Sequence, residues 1–561
     1  MFAREPFLNN NLTALKAGGQ TEAAAWLEGH GRPSERIVTT LAQDSLPILI
    51  ANGVSQDSRR DPGAQAASLI KKTLPWPGLK ASNYQETNRV DINSEAVFLF
   101  GLSGPALLTE ALKGAHPVVA FESDPEVALA LLAVLDLSSE LKSNRLTIWG
   151  PWRLLSAPLS LTPHLLVHPA AKRRAPAAFL GFRQFIIGFE PIHCPPSQIP
   201  KVLIVPPLSG GSLATTFFTL RAAQTLGLQT KSIDWPEELS VASDRAVKDP
   251  SSVSVGAIFK EASQITLREI EQFRPHLLLA LAQAPVLPET LILIKDRFPH
   301  CLTAFWFVED FRRFSYVFDL APAYDLFFHI QGPLFAPIVK RLGLKRAWYL
   351  PLAADPDFFK PSIAPPTPYR AQISFMGAGY PNRRRVLTDF WQKRWSKINN
   401  LAKGFKIFGS GWEGLKSPLI DFLFENGRRI LLSEIALIYA GSEVNLNIHS
   451  SDSDGFDTSG AFVNPRTFEL AASGAFQTVD SRPLIEGLFN EDELSLAVEP
   501  EQMAQAAENH LLDPRPGRAQ ALKARTRVLK EHTYAHRLAF VLRAAGYDGP
   551  LTNAPAPPWL S

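Results

Sequence analysis

The sequence predicts an α/β protein of doubly wound parallel sheets, with two Rossmann-like domains preceded by a further Rossmann-like domain at the N-terminus. Three observations predict it. Short runs rich in Val, Ile, Leu and Phe alternate with helical stretches from Ala96 onward, which is the β–α alternation of parallel sheets. Several of those runs end in a glycine turn or an acid where a helix begins, the place where open α/β folds bind ligands. Two proline-rich segments, 191–200 and 353–371, interrupt the pattern in a chain of 561 residues, too long for one core. The expected units are 1–195, 196–358 and 359–548, with a flexible tail at 549–561.

Composition excludes several classes. Fifty-seven basic residues face 54 acidic ones, a net charge of +3, so the basic footprint of a nucleic-acid binder is missing. The two cysteines, Cys194 and Cys301, stand far apart with no other ligand cluster beside them. They offer neither a disulfide framework nor a zinc site, and they point to a reducing compartment. The opening M-F-A-R-E-P-F has no long apolar segment, and runs such as Leu277 to Ala282 fall far short of the roughly 20 residues that span a bilayer. The expectation is a cytoplasmic protein without a transmembrane helix.

Residues up to about 90, with a helical pattern at Thr21 to His30 and a polar run from Ser55 to Gln65, read as a small leading subdomain or cover. A-V-F-L-F-G (96–101) is a buried-strand run, residues 102–112 a glycine-containing turn opening a helix, and Val118 to Phe121 a second strand that ends in Glu122 and Asp124. This is the outline of a dinucleotide or S-adenosylmethionine site, with the acid available for a ribose. Only Gly101, Ser103 and Gly104 stand in for the glycine-rich loop, so the sequence favours a Rossmann-like domain without cofactor over that site.

After the segment 191–200 the pattern restarts. K-V-L-I-V-P-P (201–207) is a strand, 208–212 a turn carrying Gly210 and Gly211, Thr215 to Leu226 a helix and Gln229 to Ile233 the next strand. Strands follow at 276–282, 302–307, 326–330 and 347–350. Gly210 and Gly211 make either a tight βα turn or a ligand-facing loop. Glu309 and Asp310, just past a strand end, either activate an acceptor group or start a helix over 311–318, where acids suit the dipole.

Beyond the second proline-rich segment, 372–376 is a strand and G-A-G-Y-P-N-R-R-R (377–385) a glycine loop running into a helix. Arginines at a helix N-terminus oppose its dipole, which a bound diphosphate or plain solvation would offset. Gly377 and Gly379 permit the close backbone approach that phosphate binding uses, with Arg383 as its cation. A strand at 403–408 and a helix at 431–440 lead to an alternating strand, Val444, Leu446 and Ile448, which delivers His449 at its end. The acidic run 451–460 lacks the Glu that closes a calcium loop of the EF-hand type, Phe462 standing in its place.

A helix is expected over 462–473, stopped by Gly474, with Asn464, Arg466 and Glu469 in or near its first turns. Arg466 and Glu469, three apart, share a face. A helix N-terminus suits phosphate, and a carboxylate one turn on suits a ribose diol; the alternative is a surface ion pair. A strand at 475–479 and helices at 502–512, 515–530 and 534–545 close the chain.

R-T-F-E-L-A-A-S-G-A-F-Q (466–477) and K-E-H-T-Y-A-H-R-L (530–538), with W-F-V-E-D-F (306–311), Y-D-L-F-F-H (324–329) and Y-L-P-L-A-A-D-P-D-F-F-K-P (349–361), resemble the CgeB-like spore-protein glycosyltransferases, a branch of the GT-B class. The resemblance runs over about residues 200–545. It implies transfer of a hexosyl unit from a nucleotide-diphosphate-sugar donor to a hydroxyl on a glycan or protein, without bound metal or cofactor. Peripheral membrane contact stays open.

The roles it implies are Arg383 and Arg466 on the diphosphate, Glu469 on the ribose, and His449 and Asn464 near sugar or phosphate. Asp310 becomes a base or acceptor contact, and the Gly210–Gly211 loop faces the cleft. Related retaining enzymes often carry an acid eight residues before the ribose-binding one. Ala461 occupies that position here, which leaves stereochemistry open. Two rivals are a non-catalytic nucleotide- or sugar-binding module and a fused methyltransferase–glycosyltransferase using Gly101 to Asp124.

Overall fold

The structure is a computed structural model. It describes residues 7–550 except 31–36, 42–46, 52–53, 56–61, 72–95, 103, 115, 156–163, 249–254, 363–364, 394–403, 413–417 and 454. Most of the expected tail therefore lies outside the described residues, as does Ser103 of the first glycine loop.

The leading segment carries two helices, Leu8–Ala17 and Thr21–Glu28, and an antiparallel sheet of β1 (Ile37–Leu41), β2 (Pro47–Ala51) and β3 (Val54–Ser55). Three parallel sheets follow, as the alternation predicts. The first has the order β6-β5-β4-β7, from Val97–Phe100 (β4), Val118–Phe121 (β5), Leu146–Trp149 (β6) and His164–Val167 (β7).

The second contains β8 (Lys201–Val205), β9 (Gln229–Ser232), β10 (Leu277–Leu281), β11 (Leu302–Phe307), β12 (Leu326–His329) and β13 (Ala347–Tyr349) in the order β9-β8-β10-β11-β12-β13. The third contains β14 (Ala371–Met376), β15 (Phe405–Phe408), β16 (Ser442–Asn447), β17 (Gln477–Asp480) and β18 (Ser495–Ala497) in the order β15-β14-β16-β17-β18. In both of these sheets the first strand lies between the second and the third. That order creates a switch point, where the loops after neighbouring strands diverge and leave a crevice. Residues of β10 and β11 are buried throughout, which is why they read as unbroken apolar runs rather than alternating ones.

Packing does not respect the proline-rich boundaries. Phe98, Phe100, Phe121 and Phe182 of the first unit share one core with Leu203, Leu278 and Phe305 of the second sheet. The segment 191–200 is docked: Ile192 N donates to Ala545 O at 2.8 Å and Tyr547 Oη donates to Gln198 O at 2.8 Å. The segment 353–371 is anchored as well, with Arg221 paired to Asp355 and the buried Arg537 donating from Nε to Pro351 O (2.7 Å) and from Nη2 to Leu352 O (2.9 Å). Arg537 belongs to the last helix, Tyr534–Ala544, whose Phe540 meets Phe328 and Trp348. The end of the chain thus crosses back onto the second sheet.

Two expected helices differ from what forms. Residues 311–316 make turns, because Asp310 Oδ1 accepts from Arg312 N and Asp310 O accepts from Arg313 N and Phe314 N; only Val317–Leu320 is helical. The helix expected over 462–473 begins at Pro465, since Asn464 caps it with a side chain that accepts from Thr467 N. No helix among the described residues is long and apolar enough to cross a membrane.

Candidate active site

The crevice of the third sheet opens after β14 and β16. A Cβ built on Gly377 would lie 2.9 Å from Arg466 Nη2, 3.2 Å from Arg383 Nη1 and 3.2 Å from the Phe375 ring. Two guanidinium groups therefore close over a backbone position where any Cβ would have to displace them, and both lie over the Phe375 ring, at 5.6 and 5.7 Å. Arg383 is buried, and its bonds go to carbonyls, Ile448 O (3.0 Å) and Ala378 O (3.2 Å). Burial first, then the positive charges of Arg466 and Arg313, push Arg383 down to about 9. Arg313 reaches this cluster from the second sheet and shares the Tyr380 ring with Arg383, at 5.0 and 5.2 Å. Positive charge converging from both sides of a cleft and repelling itself there suits an anion.

Gly379 serves a different purpose. Its Cβ would meet Gly411 O at 2.4 Å, so it lets the loop after β15 approach. Arg384 fastens the same two loops by donating to Gly379 O and Gly411 O.

Asn464 also looks inward. Its Oδ1 accepts from Thr467 and its Nδ2 donates to Asn447 Oδ1 at 2.9 Å, while Asn447 donates to Thr467 Oγ1 and Gln477 Oε1. That closed amide network orients the first turn, and Arg466 Nη1 rests on its edge, 3.4 Å from Asn447 Oδ1. Asn464 is therefore bonded inward, to Asn447 and Thr467, at the start of the helix that carries Arg466.

Glu469 is 8% exposed and accepts from Tyr439 Oη at 2.9 Å. Burial pushes its carboxyl up to about 7, against the pull of Tyr439 and Arg466. The alternative of a surface ion pair is thus corrected: the side chain lies in an enclosed corner beside Arg466 and Tyr534.

His449 is fully buried. Its Nδ1 lies 2.6 Å from Asp480 Oδ1, which also accepts from His449 N, and its Nε2 is buried without a hydrogen-bond partner among the described residues. From Asp480 an ionic chain crosses the cleft: Arg482 bridges Asp480 and Asp457 (3.4 Å each), and Arg312 bridges Asp457 (3.3 Å) and Asp310 (2.8 Å). The acidic loop is therefore a strap tied to both sides.

Asp310 is occupied by Arg312, through both carboxylate oxygens. Its neighbour Glu309 contacts Ser212 of the Gly210–Gly211 turn and Gln283, and burial pushes its carboxyl up. Gly210 (φ +101°) and Gly211 are exposed, and among the described residues nothing comes within 4 Å of a Cβ placed on either, so neither packs against a neighbour. Tyr380, Arg313, Asp457 and Asp480 were not singled out in the sequence; the only signal would have been their adjacency to residues that were.

The glycine loop of the first sheet is built differently. A Cβ on Gly101 would fall 2.0 Å from Ala171 Cβ, so helix Pro169–Arg174 fills the crevice. Glu122 is consumed: it accepts from the N–H groups of Leu102, Ser123 and Asp124 and pairs with Arg174 at 2.8 Å.

Residues 383–543 match a family model described as glycosyl transferase-like, a span that takes in Arg383, His449, Asn464, Arg466 and Glu469. No curated protein matches the chain. Among solved structures, a sucrose-phosphate synthase from Thermosynechococcus elongatus is similar at 13% identity, over 62% of this chain and 98% of its own, with a TM-score of 0.43. An α,α-trehalose 6-phosphate synthase from Burkholderia multivorans is similar at 12% identity, over 64% and 99%, with a TM-score of 0.42. HepE from Anabaena in complex with UDP-glucose is similar at 10% identity, over 62% and 100%, with a TM-score of 0.43.

Proposed function

We propose that the chain is a GT-B-type glycosyltransferase of the CgeB-like branch, moving a sugar from a nucleoside-diphosphate donor to a hydroxyl acceptor in the cleft between the second and third sheets. The observation that carries this reading is the convergence of Arg383, Arg466 and Arg313 on Gly377 and Tyr380. These arginines hold the diphosphate, and the Asn464-capped helix start adds its partial positive charge. Glu469, at a helical turn's distance from Arg466, takes the ribose hydroxyls.

In the reaction the acceptor oxygen bonds to the anomeric carbon as the bond from that carbon to the diphosphate oxygen breaks. The electron pair leaves on the diphosphate and the acceptor proton passes to Glu309. Arg466 acts most in the transition state, because its partner gains charge there. Cationic side chains do this neutralising, so a metal ion is not required. His449 is a positioning residue: its imidazole, paired with Asp480, fixes the strand end whose Ile448 and His449 carbonyls accept from Arg383 and Asn382. Two free, buried thiols suit a reducing compartment. The test is a donor screen that follows nucleotide release with and without acceptor hydroxyls: release supports transfer, whereas saturable binding without release favours a non-catalytic module.

A further inference from the structure

A cavity of about 1400 Å³ lies between the first unit and the second sheet, outside the cleft described above. Part of its wall follows strand ends, with Ser123 after β5, Trp152 after β6, Gln283 after β10 and Tyr316 after β11, and the rest comes from helices, among them those carrying Ala25, Ala178, Phe259 and Arg341. The carboxyl ends of two parallel sheets thus face one space, and such ends are where α/β folds place ligands. The first sheet's own glycine crevice is filled by Ala171, so this cavity is what its strand ends adjoin.

The lining is aromatic. Trp26, Trp152, Phe259, Phe314, Tyr316 and Phe318 all border it and all remain half-buried, with the Trp26 and Trp152 rings 5.0 Å apart. Large rings left half-covered around one hollow are unusual in a packed interior. Its inner wall touches the proposed chemistry: Gln283 hydrogen-bonds Glu309, and Tyr316, whose hydroxyl donates to Ala282 O at 3.1 Å, lies in the field of the same carboxylate. Glu309 in turn accepts from Ser212, next to the exposed Gly210–Gly211 turn.

We infer that this cavity binds the body of the acceptor, a flat, multi-ring apolar molecule whose hydroxyl-bearing end extends past Gln283 and Tyr316 toward Glu309, which stands behind that lining. The inference rests on the glycosyl-transfer reading and adds to it the substrate class. Ring faces stack on planar apolar ligands and gain beyond simple burial. The volume exceeds the usual 300–1000 Å³ of small-molecule sites, so the body is larger than one ring. On transfer, the hydroxyl proton goes to Glu309 and its oxygen to the anomeric carbon.

The test titrates the full chain by calorimetry with 7-hydroxy-4-methylcoumarin and with a four-ring hydroxylated polycycle, and separately with UDP, GDP, ADP and dTDP. Two variants fill the cavity: Ala25→Trp, at an exposed helix position on its wall, and Ala178→Trp. The expected result is saturable binding of the ring probes, tighter for the larger, weakened at least tenfold in both variants at unchanged melting temperature, with nucleotide affinity unaltered. Absence of ring-probe binding in the wild type, or binding undiminished in a folded filled variant, overturns the inference. Failure of the wild type to bind UDP, GDP, ADP and dTDP alike would instead sink the glycosyl-transfer reading, so the two failures are separable.

Discussion

The glycine loops at Gly101 and Gly377 begin alike, each following a buried strand and opening a helix, yet the space a side chain would occupy is filled in opposite ways. At Gly101 it is filled by the methyl of Ala171, and the neighbouring acid Glu122 is spent on backbone N–H groups and Arg174. At Gly377 it is filled by the ends of Arg466 and Arg383, which no carboxylate holds within hydrogen-bond distance among the described residues. A glycine at a strand end therefore says only that something approaches closely. Whether that something is packing or chemistry depends on residues distant in sequence, Ala171 in one case and Arg466 in the other.

The comparison breaks most visibly through Arg466→Ala. Removing a cation that meets developing charge should lower turnover by ~10²–10³, read by nucleotide release, with the melting temperature nearly unchanged. Gly101→Ala comes next. It forces a Cβ against Ala171 and, at φ +95°, strains the backbone, so a loss of ~1–3 kcal/mol in denaturant unfolding is expected with donor-nucleotide affinity intact. Equal loss of that affinity would mean the first crevice takes part in binding.

Glu469→Gln sharpens the account through pH. The folded-state value near 7 lies above the ordinary 4.5, so the folded protein keeps a proton that the unfolded chain releases. This group's contribution to stability is therefore full below about 4.5 and is lost as pH rises through 7. Ribose hydroxyls donate to the ionised form, so donor affinity should rise with pH up to about 7 and level off, with proton uptake by buffer seen in calorimetry. The Gln variant should bind roughly tenfold more weakly above that pH and show a flat profile. The smallest effect is Gly377→Ala. Guanidinium ends can yield to a methyl, so donor affinity should drop only about threefold, within the range of a single weakened hydrogen bond.

Much of the fold was legible because parallel strands buried on both faces announce themselves, as Leu277–Leu281 and Leu302–Phe307 do. Helix ends were less so. Residues 311–316 read as helical, but Asp310 turns the backbone onto its own carboxylate, a local competition that periodicity does not register. The site was legible where residues lie close in sequence, as Arg466 and Glu469 do. It was not where partners arrive from elsewhere: Arg313 joins Arg383 only across the cleft, and Asp310 could be read as a base only until Arg312 was seen to hold it. Burial was the other hidden quantity, since nothing in the order of residues says that Glu469 is enclosed with Tyr439. The docking of 191–200 against Ala545 likewise depends on a contact made at the far end of the chain.

The most direct test titrates UDP, GDP, ADP and dTDP by calorimetry into the wild-type chain and carries the tightest binder on to Arg466→Ala and Glu122→Ala, each checked for folding. Saturable binding of at least one nucleoside diphosphate to the wild type is predicted, at least tenfold weaker binding to Arg466→Ala, and wild-type affinity in Glu122→Ala despite its lower melting temperature. Undiminished nucleotide binding by folded Arg466→Ala, or binding abolished by Glu122→Ala, would contradict the assignment of the nucleotide to the Gly377 crevice.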